Sequence, residues 1–319
     1  MNDVMHIAVA ANQAFARYLC VMLTSLLENN RSGKLRLYLL SADIDRGGVK
    51  WTRRIEELVT GYGQQFQFLK IDRTLFPKEL PFDETITMET YFRLKLPELL
   101  PEELERVLYL DADLIVNQSL RAFYETDFEG KSFCVCRDVT ASAGQQIHQA
   151  EFFANIRRDG MYFNAGVLLF NLAKLRETTS FARLMEQAVH IRDDLVFHDQ
   201  DLLNYVFHQD VRYMEPERYN LLARTAFNAG YAYDWVKEHT AIVHYAGPKP
   251  WRHREVRYAL EAFWWEYAKK TPYYTELLEE MLWPEIQTGY MDQLFRQLKQ
   301  ENDELRGIVD KCMRLLQAR

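Results

Sequence analysis

Asp111 and Asp113 stand one residue apart at the end of an apolar stretch, Arg106 to Leu110. An apolar strand that closes on Asp-x-Asp presents two carboxylates together at the carboxyl edge of its sheet. Their oxygens suit a hard or borderline divalent cation such as Mg²⁺ or Mn²⁺. A capped turn after a strand uses the same residues, so the pair alone leaves both readings open. A calcium loop is excluded, because Ile115 and Val116 stand where such a loop needs oxygen ligands and a glycine turn.

Three further groups carry chemistry. His244 follows the strand-like Ala241-Ile242-Val243 and precedes Gly247, Pro248, Lys249 and Trp251. That order can set a nitrogen ligand beside an ammonium able to meet phosphate. An ordinary core or surface histidine is the plainer reading of His244 alone. Asn164-Ala165-Gly166 lies inside an apolar strand, where small residues let a ligand approach and an amide can bond hydroxyls. A satisfied core amide is the alternative there. His198-Asp199-Gln200-Asp201 opens a helix, and its acids either act on a substrate or favour the helix N-terminus. A phosphotransferase of the haloacid dehalogenase type also begins from an apolar strand and Asp-x-Asp. In that class the pair closes the first strand, whereas at least three strand-like segments precede Asp111 here.

Those segments are 5–10, 35–41 and 66–71, separated by helical patterns at 14–27 and 51–59. Strand, helix, strand, helix, strand with short connections predicts a parallel sheet with helices on both faces and right-handed crossovers. Ligands of such sheets sit beyond the carboxyl ends of the strands. A helix is predicted over 90–100, strands over 106–110, 132–137 and 162–171, and a helix over 175–191. Residues 139–160 are polar and weakly patterned, as expected of a mobile lid. From about Arg254 the pattern is helical only. Met291, Leu298, Leu305 and Cys312 recur every seven residues, with Leu294, Ile308 and Leu315 three residues after three of them and Glu301 breaking that second series. The tail then reads as an amphipathic helix on its own domain, a coiled-coil contact, or a membrane-surface helix.

At 319 residues the chain is long enough for two folding units, or one large α/β domain with an appendage. With 48% hydrophobic and 27% charged residues it is an ordinary globular composition, which excludes wholesale disorder. No apolar run approaches a membrane span, and no secretion signal opens the chain, so a cytoplasmic protein is expected. A net charge of −7 argues against nucleic acid as a partner. Cys20, Cys134, Cys136 and Cys312 are scattered and read as reduced thiols.

In order, Ala10-Ala11-Asn12, Tyr91 to Leu96, Leu108 to Asp113, Tyr162 to Val167, Asp199-Gln200-Asp201 and His244 to Trp251 closely resemble glycosyltransferase family 8. These are retaining galactosyl- and glucosyltransferases, and the likeness, over about residues 5–252, is greatest to the bacterial lipopolysaccharide-type branch. The resemblance implies a GT-A type α/β fold, with a Rossmann-like, mostly parallel sheet flanked by helices. It implies a catalytic domain at 1–253 and a helical region at 254–319, with the heptad tail at about 288–317. It implies that Asp111, Asp113 and His244 hold Mn²⁺, with Mg²⁺ as the alternative, on the diphosphate of UDP-galactose or UDP-glucose. Gly247 and Lys249 would meet that diphosphate, and Ala10 and Asn12 would line the uridine pocket. The family commonly has Asp at Asn12, whose amide oxygen can still accept the uracil N–H. Arg93, Asp138, Asn164, Ala165 and Asp199 match positions that hold the donor sugar, and Gln200 the residue beneath the anomeric carbon.

An amide is a poor nucleophile, so a front-face route fits Gln200, with Asp201 as the candidate for a transient nucleophile and Lys249 aiding departure of UDP. The implied acceptor is a saccharide or glycolipid. Peripheral contact at the inner face of the cell membrane and a homodimer through the C-terminal helix stay open. The family's basic and aromatic anchoring tail is not matched. Two rival readings are a metal-dependent phosphotransferase or phosphatase, and a nucleotide-sugar-binding protein without transfer activity.

Overall fold

The computed structural model describes residues 4–43, 51–81, 87–138, 150–252 and 258–317. Strand β1 (Val4–Ala10) is buried at six of its seven residues, as only a central strand covered on both faces can be. β2 (Lys34–Ser41) and β3 (Gln65–Lys70) follow, then β4 (Arg106–Leu110), β5 (Leu114–Val116), β6 (Phe133–Arg137), β7 (Phe163–Asn171) and β8 (Val211–Met214). The short β9 (Leu221–Leu222) and β10 (Ile242–His244) complete the described strands. One sheet has seven strands in the order β3-β2-β1-β4-β7-β6-β8. β1, β2, β3 and β4 run parallel, so the carboxyl ends of β1 and β4 share one edge.

β7 departs from a wholly parallel arrangement. It runs antiparallel to both β4 and β6, with Leu110 opposite Val167. Chain reversal therefore brings Asn164-Ala165-Gly166 to the end of β4, and the Asp111 amide donates to the Gly166 carbonyl at 2.9 Å. Pairing with β6 slips at the same place, from Val135 opposite Leu168 to Cys136 opposite Asn164. The bulge leaves the Ala165 peptide groups without a ladder partner on β6, free to bond side chains.

In the second sheet, β5-β10-β9, only β10 has a counterpart in the sequence reading, the strand-like Ala241-Ile242-Val243; β5 and β9, of three and two residues, carry no periodic signal. β10 pairs antiparallel with β5 and sets His244 opposite Leu114, the residue after Asp113. This pairing brings a histidine to the Asp-x-Asp turn across more than a hundred residues of chain.

Two helical predictions are corrected, and one loop prediction in part. The stretch expected as a helix over 90–100 is a 3₁₀ helix, Met88–Lys95, followed by one α turn, Leu96–Leu99. Pro97 has no N–H to give to an i−4 carbonyl, and the Leu96 N–H bonds Arg93 in an i→i−3 pattern. The helix expected over 175–191 is two, Leu172–Thr178 and Phe181–His190, with the Ser180 side chain capping the second through the Arg183 N–H. Within the segment read as a lid, Glu151–Arg158 is a helix that buries Phe153 and Ile156; residues 139–149 lie outside the described residues.

Contacts divide the chain into two units, Met1–Pro250 with Tyr258–Thr271, and Trp251–Arg257 with Pro272–Arg319. The helix Glu261–Ala268 thus falls in the first unit, beyond the boundary at 253 expected from sequence. In the second unit, Tyr274–Thr288 and Tyr290–Gln317 are helical, and Gly289 between them takes a left-handed φ of 58°. Among the described residues no helix is long and apolar enough to cross a membrane.

Candidate active site

The turn after β4 holds Asp111 and Asp113, and β10 delivers His244, so that one ligand atom from each lies within 4.8 Å of the others. His244 Nε2 is 3.2 Å from Asp113 Oδ1. Gly247, at a φ of 99° that favours glycine, turns the chain so that Lys249 Nζ donates to the Tyr245 carbonyl at 3.0 Å and to Asp113 Oδ2. Burial alone would raise the Asp113 carboxyl. The Lys249 ammonium and the His244 imidazole override it and hold that carboxyl well below the usual range.

Backbone donors fix the direction of every amide behind this cluster. The Gly166 N–H can only donate, so the Asn164 group 2.9 Å away is Oδ1. Asn220 Nδ2 donates to that same oxygen at 2.9 Å, which turns Asn220 Oδ1 toward His244 Nδ1 at 2.8 Å. His244 Nδ1 therefore carries a proton, and Nε2 is the ring nitrogen that faces the carboxylates, the one a metal would take. From the other end, Asn164 Nδ2 donates to Gln200 Oε1 at 3.1 Å, and the Ala165 N–H donates to the same oxygen at 2.9 Å. Gln200 Nε2 then reaches Asp138 Oδ2 and Tyr162 Oη, both at 3.2 Å. One chain of amides links the histidine to Gln200.

Arg93 is 2% exposed and spans the floor of the site. Its guanidinium donates to the Ala165 carbonyl, lies 3.2 Å from Asp111 Oδ1 and 3.0 Å from Asp199 Oδ2, and stacks 4.3 Å over the Tyr109 ring. Tyr109 Oη donates to Asp111 Oδ1 at 3.0 Å. Burial pushes the Asp199 carboxyl up to about 6 against the pull of Arg93 and a bond to Thr90. Asp201 is fully buried, with Oδ1 accepting from Tyr162 Oη at 2.5 Å and Oδ2 from the Val196 and Phe197 amides at 2.7 and 2.6 Å. All of its acceptor capacity is turned inward.

A cleft beside the carboxylates is lined by Ala10, Asn12, Phe15, Glu89, Asp113 and Lys249, among others. Asn12 Oδ1 caps the following 3₁₀ turn through the Phe15 N–H at 3.1 Å, and its amide donates to Glu89 Oε2 at 3.3 Å. Glu89 is also paired with Arg73 at 2.9 Å. The structure thus gathers Asp111, Asp113, His244, Lys249, Arg93, Asn164, Ala165, Asp199, Gln200 and Asp138 into one hydrogen-bonded and ion-paired assembly, with Ala10 and Asn12 on its adjoining cleft. Asp201 stands behind it. Sequence reasoning missed Asn220, Tyr109, Tyr162 and Glu89. Tyr109 and Tyr162 lie inside the recognised motifs without a role read for either, and Asn220 sits in no pattern at all.

Asn220 separates two effects experimentally. Asn220→Ala frees the His244 ring and is expected to weaken Mn²⁺ binding by about 10- to 100-fold, the usual cost of losing such a support. Asn220→Asp keeps an acceptor for His244 Nδ1 but cannot donate to Asn164. It should retain most of the metal affinity and lose turnover. Mn²⁺ titration by electron paramagnetic resonance, alongside kcat, checks this; equal affinities for all three proteins would contradict the tautomer argument.

The model for Glycosyl transferase family 8 matches residues 6–255. General stress protein A of Bacillus subtilis is 27% identical over 269 residues, 78% of this chain and 88% of that protein. A lipopolysaccharide 1,2-glucosyltransferase of Escherichia coli is 29% identical over 240 residues, 72% of this chain and 68% of that protein. Among solved structures, the galactosyltransferase LgtC, in complex with donor and acceptor sugar analogues, superposes with a TM-score of 0.66 at 28% identity, covering 84% of this chain and 96% of that one.

Proposed function

The chain belongs to glycosyltransferase family 8, and from that premise we propose that it is a metal-dependent retaining hexosyltransferase. It moves galactose or glucose from a UDP-sugar to a saccharide or glycolipid acceptor. The observation that carries this reading is the convergence of Asp111, Asp113 and His244, with Lys249 at the same carboxylate. The names of the E. coli glucosyltransferase and of LgtC support a hexose donor and a place in bacterial surface-saccharide synthesis. The site of action is then cytoplasmic, at the inner face of the membrane when the acceptor is lipid-linked.

The donor set fits a Mn²⁺ ion, with Mg²⁺ as the alternative: two carboxylates and an imidazole whose second nitrogen is tied to Asn220. A bound ion would supply Lewis-acid stabilisation of the departing diphosphate. Lys249 adds a cation at the same place, and Gly247 opens the turn that brings it there. Ala10 and Asn12 line the cleft next to it, which suits the uridine. Arg93, Asp138, Asn164, Ala165 and Asp199 form a polar floor for the sugar hydroxyls.

Gln200 faces this floor with its amide held at four points, an oriented dipole beneath the anomeric carbon rather than a nucleophile. The geometry favours the front-face route, in which the leaving phosphate takes the acceptor proton. The role of transient nucleophile does not suit Asp201, whose two oxygens already accept three bonds away from the cleft. It acts as a positioning residue, holding Tyr162 and the residue 196–197 turn. Gln200→Ala is expected to lower kcat by about one to two decades and keep retention, the loss of one neutral dipole contact. Asp201→Asn should lower the melting temperature and kcat together. Intact mass after incubation with donor should show no glycosyl adduct on either variant. An adduct on the wild-type chain at Asp201 would restore it as nucleophile.

A panel of nucleotide sugars with Mn²⁺, read by thermal shift, tests the donor class, because a ligand that binds only the folded state stabilises it by mass action. UDP-galactose or UDP-glucose should give the largest shift. Release of phosphate from small phosphoesters, with no shift for any UDP-sugar, would favour the phosphotransferase reading. Binding without turnover would favour the binding protein.

A further inference from the structure

Leu298, Leu305, Ile308, Val309 and Met313 are each exposed over more than half of their surface, all on the helix Tyr290–Gln317. With Leu298, Leu305 and Cys312 at heptad position a, Glu301, Ile308 and Leu315 take position d. We infer that this helix pairs antiparallel with the same helix of a second copy of the chain, Leu305 of each copy facing Ile308 of the other.

Charge selects both orientation and register. In a parallel pair Glu301 would face Glu301 of the second copy in the seam, and the g-position charge of Glu304 would face the e-position apolar Val309. In the antiparallel pair g faces g and e faces e. Glu304 then meets Lys311 of the second copy, twice by symmetry, while Val309 meets Asn302. Sliding the pair by one heptad sets Glu304 against Glu304, or Lys311 against Lys311, so like charges exclude both neighbouring registers. In the selected register Glu301 faces Cys312 in place of its own copy. Glu301 also accepts the Gln297 amide at 3.1 Å within its helix. Acidic and basic residues alternate over the polar side of the helix, which gives no cationic face for an anionic lipid surface.

The pairing does not rest on the activity proposed above. Light scattering on the full chain should give a dimer. Leu305→Glu with Ile308→Glu should give a monomer that turns over UDP-hexose with Mn²⁺ at the wild-type rate. Cysteine chemistry reads the register. Cys312 is exposed, whereas Cys20, Cys134 and Cys136 are buried. In the antiparallel pair the two Cys312 residues lie about 16 Å apart along the axis at 1.5 Å per residue, too far to bridge. Mild oxidation with diamide should therefore leave the wild type uncrosslinked and link the Glu301→Cys variant to Cys312 of the second copy. A Cys312-linked dimer of the wild type would show a parallel pair, and absence of a link in Glu301→Cys would show another register; either overturns the proposal. So would a monomeric wild type, or sedimentation with phosphatidylglycerol vesicles that the double variant abolishes.

Discussion

Gly166→Ala is expected to abolish metal binding and transfer while leaving the fold in place. A Cβ at this position would lie 2.3 Å from His244 Cε1 and 2.7 Å from Asp111 Oδ2, with Asn164 Oδ1 at 3.1 Å. No rotamer of the alanine relieves this, because a methyl group has none. Two of the three side chains proposed to hold the metal must move, and the Asn164 amide, which orients Asn220 behind His244, must give as well. Displacing one group by about 1 Å costs about 10²-fold, so a loss of about 10³-fold in kcat/KM is expected when two ligands shift together. The cost in stability should be the modest one of overpacking, about 1–3 kcal/mol, since β7 keeps its pairing with β4. Circular dichroism should be unchanged, Mn²⁺ titration flat and turnover lost. Wild-type metal affinity in this variant would show that the described side chains are not the metal's ligands.

Asp113→Ala is the second large effect. Its carboxylate joins both His244 and Lys249 to the turn after β4, so removing it deletes a ligand and releases the ammonium. The loss in transition-state stabilisation should be on the order of 3 kcal/mol, about 10²-fold in kcat/KM. Thermal unfolding separates this from general damage. Mn²⁺ with UDP should raise the melting temperature of the wild type and leave that of Asp113→Ala unmoved, although both proteins unfold cooperatively. An equal shift in the two proteins would contradict the role given to Asp113.

Strands with a continuous apolar signal, such as 5–10 and 35–41, were legible in the sequence, and so was the parallel half of the sheet they build. The reversal of β7 was not. An antiparallel strand buried on both faces has the same composition as a parallel one, and the connection into β7 includes the helix Glu151–Arg158, in a stretch weakly patterned in sequence. Asp111, Asp113, His244 and Lys249 were legible because carboxylate, imidazole and ammonium are rare at the ends of apolar strands. Their convergence depends on the pairing of β10 with β5, a strand of three residues that no periodicity can reveal. Asn220 illustrates the limit. A carboxamide next to a turn is commonplace in sequence, and only the chain of donors running from the Gly166 N–H shows that its oxygen faces His244 Nδ1.

The most direct measurement is proton NMR of UDP-hexose turnover followed from the first minutes, with Mn²⁺ and again after EDTA treatment. Transfer with retention should release the hexose, or the acceptor glycoside, in the α configuration before any mutarotation, and only while the metal is present. A β product appearing first, or undiminished turnover in EDTA, would contradict the account.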